Sequence, residues 1–332
     1  MRLYYLAFSA RGLALAENLA RALGGEAVRC GGPVTLAGWT AEHFASGAGL
    51  VYVGACGIAV RAVAPHLVHK AEDPAVVAVD EQGHFAVPLV SGHLGGANAL
   101  ARSIAKVCGA VPVLTTATDA GGLFPVDDWA RAQGCVIPRP ETIKHFSAAI
   151  LAGKTCRIYS DWPIAGAPPA GVERTEDKSA CDAAVTLTDP GPGPLWIAPR
   201  AAVLGMGCRR GVPVQQLEQA VQQALAAAGI PAQAVAMVCT IDLKAREPGL
   251  LDLCRAHGWP LRTFSAQQLE QVEGTFTPSA FVARTVGVDN VCERAAVLGA
   301  EGGPLQIPKQ AGDGVTLALA AKAFEPDWKW ME

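Results

Sequence analysis

The feature that most constrains this chain is its regular alternation of strand-length apolar runs with helix-length amphipathic stretches, often across glycine-rich turns. Residues 3–8 read as a buried strand and 12–23 as the helix behind it. Residues 50–53 and 58–67 repeat the pair, and 97–107 with 111–114 give a helix and then a strand. Helical bundles lack the apolar runs, and sandwiches lack the 3.6-residue periods, so the class is α/β with mostly parallel sheets. Residues 75–79 and 85–90 are separated only by the turn-forming DEQGH. They predict a hairpin and one antiparallel pairing. The alternation weakens over 129–199, where a helix near 141–151 and a strand at 155–159 are the clearest elements. It returns as strand 201–205, helix 213–228, strand 234–239, helix 249–257 and strand 261–264. Helices near 279–284 and 291–298, then strands 305–308 and 315–318, complete it. The reading is two mostly parallel α/β domains, 1–128 and 200–332, joined by a smaller α/β middle domain, 129–199. The middle domain is expected to end in a Pro/Gly linker at DPGPGP.

Composition narrows the ligand classes. The chain has 51% hydrophobic residues and 27 basic against 30 acidic groups, so disorder is excluded and a broad nucleic-acid face is not expected. An anionic ligand must therefore meet a local cluster of cations. The ten cysteines form no CxxC pair, which argues against a zinc ribbon and for thiols packed as small hydrophobes in a reducing compartment. Arg11 and Glu17 interrupt the first apolar stretch too early for a signal peptide, and no run approaches the ~20 residues of a membrane span. A soluble, cytoplasmic protein is expected.

Chemistry concentrates in the turns. In PLVSGHLGGANALARSIA, residues 88–105, a strand enters a turn holding Ser91, Gly92, His93, Gly95, Gly96 and Asn98, and a helix leaves it. Glycines let backbone approach a ligand, and a helix start offers amides to an anion. His93 can act as acid or base near neutral pH. The same residues also suit a tight turn capped by Ser91. TTATDAGG brings Thr115, Thr116 and Asp119 to the end of the next strand, either as a ligand loop or as a local Asx-turn. If 75–79 and 85–90 form a hairpin, SGHLGG need not face TTATD. A third loop sets Gly54 and Gly57 before a helix carrying Arg61, with His66 and His69 beyond it. Two histidines without a third ligand read as solvated helix-end residues more readily than as a metal site.

The last domain adds VLGMGCRRGVP, with Gly205, Gly207, Arg209 and Arg210. It is a weak dinucleotide fingerprint whose third glycine comes one residue late, but its arginines suit carboxylate or phosphate. Lys244 and Glu247 follow another strand, and Glu293 and Lys309 lie in later motifs. Any of these charges could equally be solvated surface. No Ser-His-Asp order, G-x-S-x-G elbow or HExxH helix occurs, leaving acid–base work with oxyanion stabilisation by amides.

Over 50–128 and 201–320, long motifs resemble the cobalt-precorrin-5A hydrolases, the cobalamin biosynthesis protein G family. These are GIAVRAVAPHLVHK through PLVSGHLGGAN to TTATDAGGLFPVDDWA, then LGMGCRRGVP, TIDLKAREPGLLDL, VCERAAVLGA and PKQAGDGVTLALA. Both halves occur in the family's order. The resemblance implies a corrinoid substrate whose ring A δ-lactone is opened by water. The two-carbon C20 unit leaves as acetaldehyde, giving cobalt-precorrin-5B in anaerobic cobalamin assembly. It implies no protein cofactor or metal, since cobalt enters with the substrate. Neighbouring corrin-pathway enzymes become the partners in intermediate transfer. On this reading His93, Ser91, Asn98 and Asp119 are the catalytic candidates. The binding candidates are Gly54, Gly57, Arg61, Gly92, Gly95, Gly96, Thr115, Thr116, Gly205, Gly207, Arg209, Arg210, Lys244, Glu247, Glu293 and Lys309. Two other classes stay open: a non-catalytic corrinoid carrier, and a nucleotide-dependent enzyme using GMGCRRG.

Overall fold

A computed structural model of the chain describes residues 1–69, 72–92, 95–115, 123–279, 284 and 287–330. The chain divides into two compact units, Met1–Arg131 with Trp330–Glu332, and Ala132–Lys329.

The first unit is built on β1 (Arg2–Ala7), α1 (Ala10–Leu23), β2 (Glu26–Arg29), α2 (Leu36–His43), β3 (Ala48–Val53) and α3 (Cys56–Val63). These are followed by β4 (Ala75–Val79), β5 (Phe85–Val90), α4 (Ala97–Cys108) and β6 (Val111–Pro112), and α5 (Val126–Ala132) closes it. Every residue of β3 and β4 is buried, as expected for parallel strands covered on both faces. The sheet order is β2-β1-β3-β4-β5-β6. β2, β1, β3 and β4 are parallel; β5 pairs antiparallel with β4, confirming the hairpin, and β6 pairs parallel with β5. Ser9 accepts the Gly12 amide at 3.0 Å and Thr35 the Gly38 amide at 3.1 Å, which fixes the starts of α1 and α2. The alternation did not disclose β2 and α2, because β2 is a short, half-exposed edge and α2 carries a central glycine.

The second unit contains two five-stranded sheets. Its first part comprises β7 (Cys135–Val136), α6 (Ile143–Leu151), β8 (Cys156–Ser160), β9 (Val172–Arg174), β10 (Ala183–Val185) and β11 (Leu195–Pro199), in the order β7-β11-β10-β8-β9. The Pro/Gly stretch is anchored, not tethering. Asp189 donates its amide to Gly229 O at 2.8 Å, and Arg139 binds the Asp189 carboxylate at 3.1 Å and Gly191 O at 2.8 Å. The LWIAP run that follows is the buried strand β11. Trp196 of β11 shares one hydrophobic cluster with Leu204, Leu217 and Val238.

The second part comprises β12 (Ala202–Cys208), α7 (Val214–Ala228), β13 (Val235–Ile241), α8 (Pro248–His257), β14 (Leu261–Phe264) and α9 (Ala266–Glu270). α10 (Cys292–Gly299), β15 (Leu305–Gly312) and β16 (Val315–Ala321) follow. Of the helix expected near 279–284, residues 280–283 lie outside the described residues. The sheet order is β14-β13-β12-β16-β15, with β12, β13 and β14 parallel and β16 antiparallel to both β12 and β15. The loops after β12, β13 and β14 and the β15–β16 turn therefore leave one end of the sheet. Alternation sends Leu204 to the α7–α8 face and Val203 to the α10 face.

Gly205 and Gly207 lie inside β12, not in a turn. A Cβ on Gly205 would stand 1.8 Å from Cys292 O and 2.7 Å from Ala296 N, so this glycine admits α10. A Cβ on Gly207 would stand 2.7 Å from Thr316 Oγ1 on the neighbouring strand. Two of the three glycines of GMGCRRG, Gly205 and Gly207, thus serve packing inside the strand, and only Gly211, at φ +75°, lies in the turn, which is not the geometry of a dinucleotide fingerprint. Gly205→Ala is expected to lower stability by about 1–3 kcal/mol through overpacking against backbone, read as a fall in the urea midpoint. An unchanged midpoint would contradict the helix placement.

Candidate functional site

In the first unit, the reversal at β5 decides which loops meet. Val90 pairs with Val76 at the start of β4, so the chain after β5 emerges where β1, β3 and β4 begin. β6 runs parallel to β5, so residue 113 onward leaves at that same end. Ser91 and Gly92 therefore leave the sheet at the same end as residues 113–115, and the hairpin does not separate these two exits. His93, Thr116 and Asp119 lie outside the described residues. Thr115 is exposed at the edge of the described segment.

The loop after β5 folds back on itself. Ser91 has φ of +56°, a left-handed conformation that a non-glycine residue adopts at a cost, and its Oγ donates to Asp73 O at 2.9 Å. Asp73 in turn accepts the Val68 amide at 3.0 Å and the His69 amide at 3.3 Å through Oδ1. A Cβ on Gly95 would stand 2.3 Å from Ser91 Cβ, and one on Gly92 would stand 2.9 Å from Asn98 Oδ1. These two glycines are spent on closing the loop. The first two amides of α4 are also committed, Ala97 to Ser91 O at 3.1 Å and Asn98 to Gly92 O at 2.8 Å. Asn98 is buried, so a water-positioning role must act from beneath the loop. Gly96, at φ +86°, opens the helix.

The residue that sequence reasoning missed is Arg131. Its Nε and Nη1 lie 3.8 Å from where a Cβ on Gly96 would stand, so the guanidinium lies across the glycine turn. Nη2 is 3.5 Å from the buried Asp128 carboxylate, and Nε is buried with no acceptor among the described residues. The side chain remains 37% exposed. The only signal was the acidic–basic spacing of VDDWAR, which a solvated helix shows equally. Gly54 and Gly57 lie instead at the carboxyl end of β3, the opposite end of the sheet from Ser91, and Arg61 is exposed in the last turn of α3. The structure does not bring these three to the Ser91 loop. His66 is half-buried and packs its ring on Phe44 at 5.5 Å, where a solvated helix-end residue was expected.

In the second unit, the carboxyl end of the last sheet is framed by two buried carboxylates. Glu247, 7% exposed, accepts the Gly211 amide at 2.6 Å and the Lys244 ammonium at 2.9 Å. The Lys244 hydrogen bond, then that of Gly211, holds its carboxyl below the ordinary 4.5. Lys244 and Glu247 thus satisfy one another and tie the Arg209–Gly211 turn to the loop after β13. Glu293, 1% exposed, accepts hydrogen bonds from Thr277 and Asn290 and from the Lys309 amide. Its oxygens are occupied from within, which corrects the expectation that it touches a ligand. Arg209 and Arg210 are exposed, Lys309 is half-buried, and none of the three makes an ion pair among the described residues. Leu243, in the loop after β13, is exposed.

Other features are less apt. A cavity of about 180 Å³ between α7 and the β15–β16 turn is lined by Gln216, Gln219, Gln223 and Gln310 and offers no cation. Burial pushes the Cys239 thiol up to about 12 and that of Cys292 to about 11, so both stay protonated and unreactive. No three His, Cys, Asp or Glu side chains gather at metal-binding spacing among the described residues. None of the described helices is long and apolar enough to cross a membrane.

Comparison with known proteins supplies family profiles across the chain. Cobalamin synthesis G N-terminal matches residues 38–119, Cobalamin biosynthesis central region 124–225, and Cobalamin synthesis G C-terminus 202–320. The chain is 33% identical over 304 residues to a cobalt-precorrin-5A hydrolase of Salmonella typhimurium, covering 84% of each chain. It is 30% identical over 303 residues to a cobalt-precorrin-5A hydrolase of Priestia megaterium, covering 85% of this chain and 80% of that one. Among solved structures, a cobalamin biosynthesis protein G homolog from Sulfolobus solfataricus aligns at 18% identity and TM-score 0.41, over 97% of each chain.

The depressed carboxyl of Glu247 predicts a pH dependence. Its contribution is complete above the ordinary carboxyl value of 4.5 and is lost as pH falls through the lower folded value. Wild type should therefore exceed Glu247→Gln in unfolding free energy at pH 7, with the gap narrowing as pH is lowered below 4.5. Denaturant titrations at the two pH values measure it; a gap that does not narrow on acidification would contradict the pairing.

Proposed function

The chain belongs to the cobalamin biosynthesis protein G family, and from that premise we propose that it is the hydrolase that opens the ring A δ-lactone of cobalt-precorrin-5A. The observation that carries this reading is the agreement between the three profiles in order and the near-full-length likeness to two proteins named for that activity. The finer chemistry fits the residues. Water adds to the lactone carbonyl, freeing a carboxylate and a hydroxyl on C20. When the hydroxyl loses its proton, the C20 oxygen becomes a carbonyl and the bond from C20 to the macrocycle breaks. Its electron pair stays on the macrocycle, which takes up a proton, and acetaldehyde leaves.

This sequence asks the protein for a base, an acid and a grip on a polycarboxylate. His93 is the proposed acid–base group and Asp119 its proposed helper, both belonging to the loops that follow β5 and β6. Ser91, whose hydroxyl proton is committed to Asp73 O, shapes the loop and does not attack. Arg209, Arg210 and Lys309 are the proposed holders of peripheral carboxylates, with Arg131 serving the first unit. Arginine suits the task because its planar fork matches a carboxylate. Cobalt belongs to the substrate, and no further cofactor is invoked. A cytoplasmic location and hand-over to neighbouring corrin-pathway enzymes complete the reading.

Incubation with cobalt-precorrin-5A should release acetaldehyde and cobalt-precorrin-5B, and His93→Ala should abolish release. Bound but unchanged corrinoid would instead make the protein a carrier. Arg209→Ala/Arg210→Ala should weaken corrinoid binding by at least about tenfold, from one lost charge-assisted contact of about 1.5–3 kcal/mol. Unchanged affinity in a fluorescence titration would remove the arginine clamp.

A further inference from the structure

Glu293 gathers an unusual set of donors. Its Oε2 accepts the Thr277 amide at 2.6 Å and Asn290 Nδ2 at 2.5 Å, and its Oε1 accepts Thr277 Oγ1 at 3.0 Å and the Lys309 amide at 2.8 Å. Its own amide donates to Asn290 Oδ1 at 2.8 Å. A buried carboxylate survives desolvation only when hydrogen-bonded or paired, and these donors satisfy it without a cation. Three separate segments thereby converge on one side chain: the loop at 277, the start of α10, and β15.

The contact with β15 is the informative one. The register of β15 on β16 slips between Ile307 and Gln310, and Lys309 lies within that irregularity after Pro308, which has no amide proton. The Lys309 amide is thus drawn out of the ladder and donated to Glu293. A bulge of this kind re-aims the side chain it carries. Because the carboxylate takes the Lys309 backbone, the ammonium group is left for another anion, and Lys309 makes no ion pair among the described residues. Lys309 is also level with the last turns of β12, close to the end where Arg209 and Arg210 emerge, since Gln310 pairs with Leu317 and Leu317 with Met206.

We propose that Glu293 is a positioning residue that aims Lys309 at a carboxylate of the macrocyclic substrate, an inference that rests on the functional reading above. Glu293 itself touches no substrate; its effect passes through the bulge.

A double-mutant cycle tests this. Equilibrium affinity for cobalt-precorrin-5A and, separately, kcat and KM are measured for wild type, Glu293→Gln, Lys309→Met and the double variant. Glu293→Gln and Lys309→Met should each weaken affinity and raise KM about tenfold with kcat within twofold, and the double variant should be no worse than either single one. Multiplication of the two effects to about a hundredfold would overturn the proposal, as would unchanged affinity in Glu293→Gln. If Glu293→Gln does not fold, Glu293→Asp, which keeps the charge and retracts it, should show the same KM-only change and the same non-additivity. Wild-type protein that binds corrinoid without turnover would defeat the functional reading while leaving the cycle readable in affinity. Wild-type protein that does not bind would defeat both.

Discussion

The carboxyl end of the last sheet depends on satisfying two desolvated carboxylates from backbone amides. Glu247 draws in Gly211, and Glu293 draws in Thr277 and Lys309, so each acid stitches a loop that no sheet ladder would hold. The charges are stable there because charge-assisted hydrogen bonds are about twice as strong as neutral ones and offset the loss of water. The consequence is a division of labour. The acids face inward and define the loops, Lys244 is consumed in that frame, and Arg209, Arg210 and Lys309 make no ion pair among the described residues, which suits them to the carboxylate-holding role proposed above.

The first unit uses a different device. The reversal between β4 and β5 flips the direction of the last two strands, so their loops leave the sheet opposite the usual carboxyl end. α3 runs back along the same sheet, which brings Asp73 under Ser91 and lets one carbonyl and one carboxylate fasten two loops. Position here comes from side chains that capture backbone: Ser91 Oγ takes Asp73 O, and the Asp73 carboxylate takes the Val68 and His69 amides.

Much of this was legible in the sequence. The buried strands β3 and β4 announced themselves as unbroken apolar runs, and DEQGH announced the reversal. The turn carrying Arg209 and Arg210 was also legible, as a glycine-containing break after an apolar strand. What stayed hidden was hidden for physical reasons. Gly205 and Gly207 mimic ligand-admitting glycines, but one admits α10 and the other a neighbouring strand, and a glycine's spacing does not say what approaches it. β9 and β10 are three residues long, too short for a period. Arg131 looks like a solvated helix residue until Gly96 is found beneath it. For Glu293 no sequence pattern shows the burial that makes it accept hydrogen bonds from three segments.

On the proposed function, a nearly neutral chain holds a polycarboxylate through a few placed cations, and those of the second unit lie at one end of one sheet. Backbone amide hydrogen exchange of the whole protein, with and without cobalt-precorrin-5A, tests that assignment directly. Protection is expected at 209–213, 242–247 and 309–314, the segments that carry or frame Arg209, Arg210 and Lys309. Corrinoid binding that leaves all three segments exchanging at their ligand-free rates would contradict it.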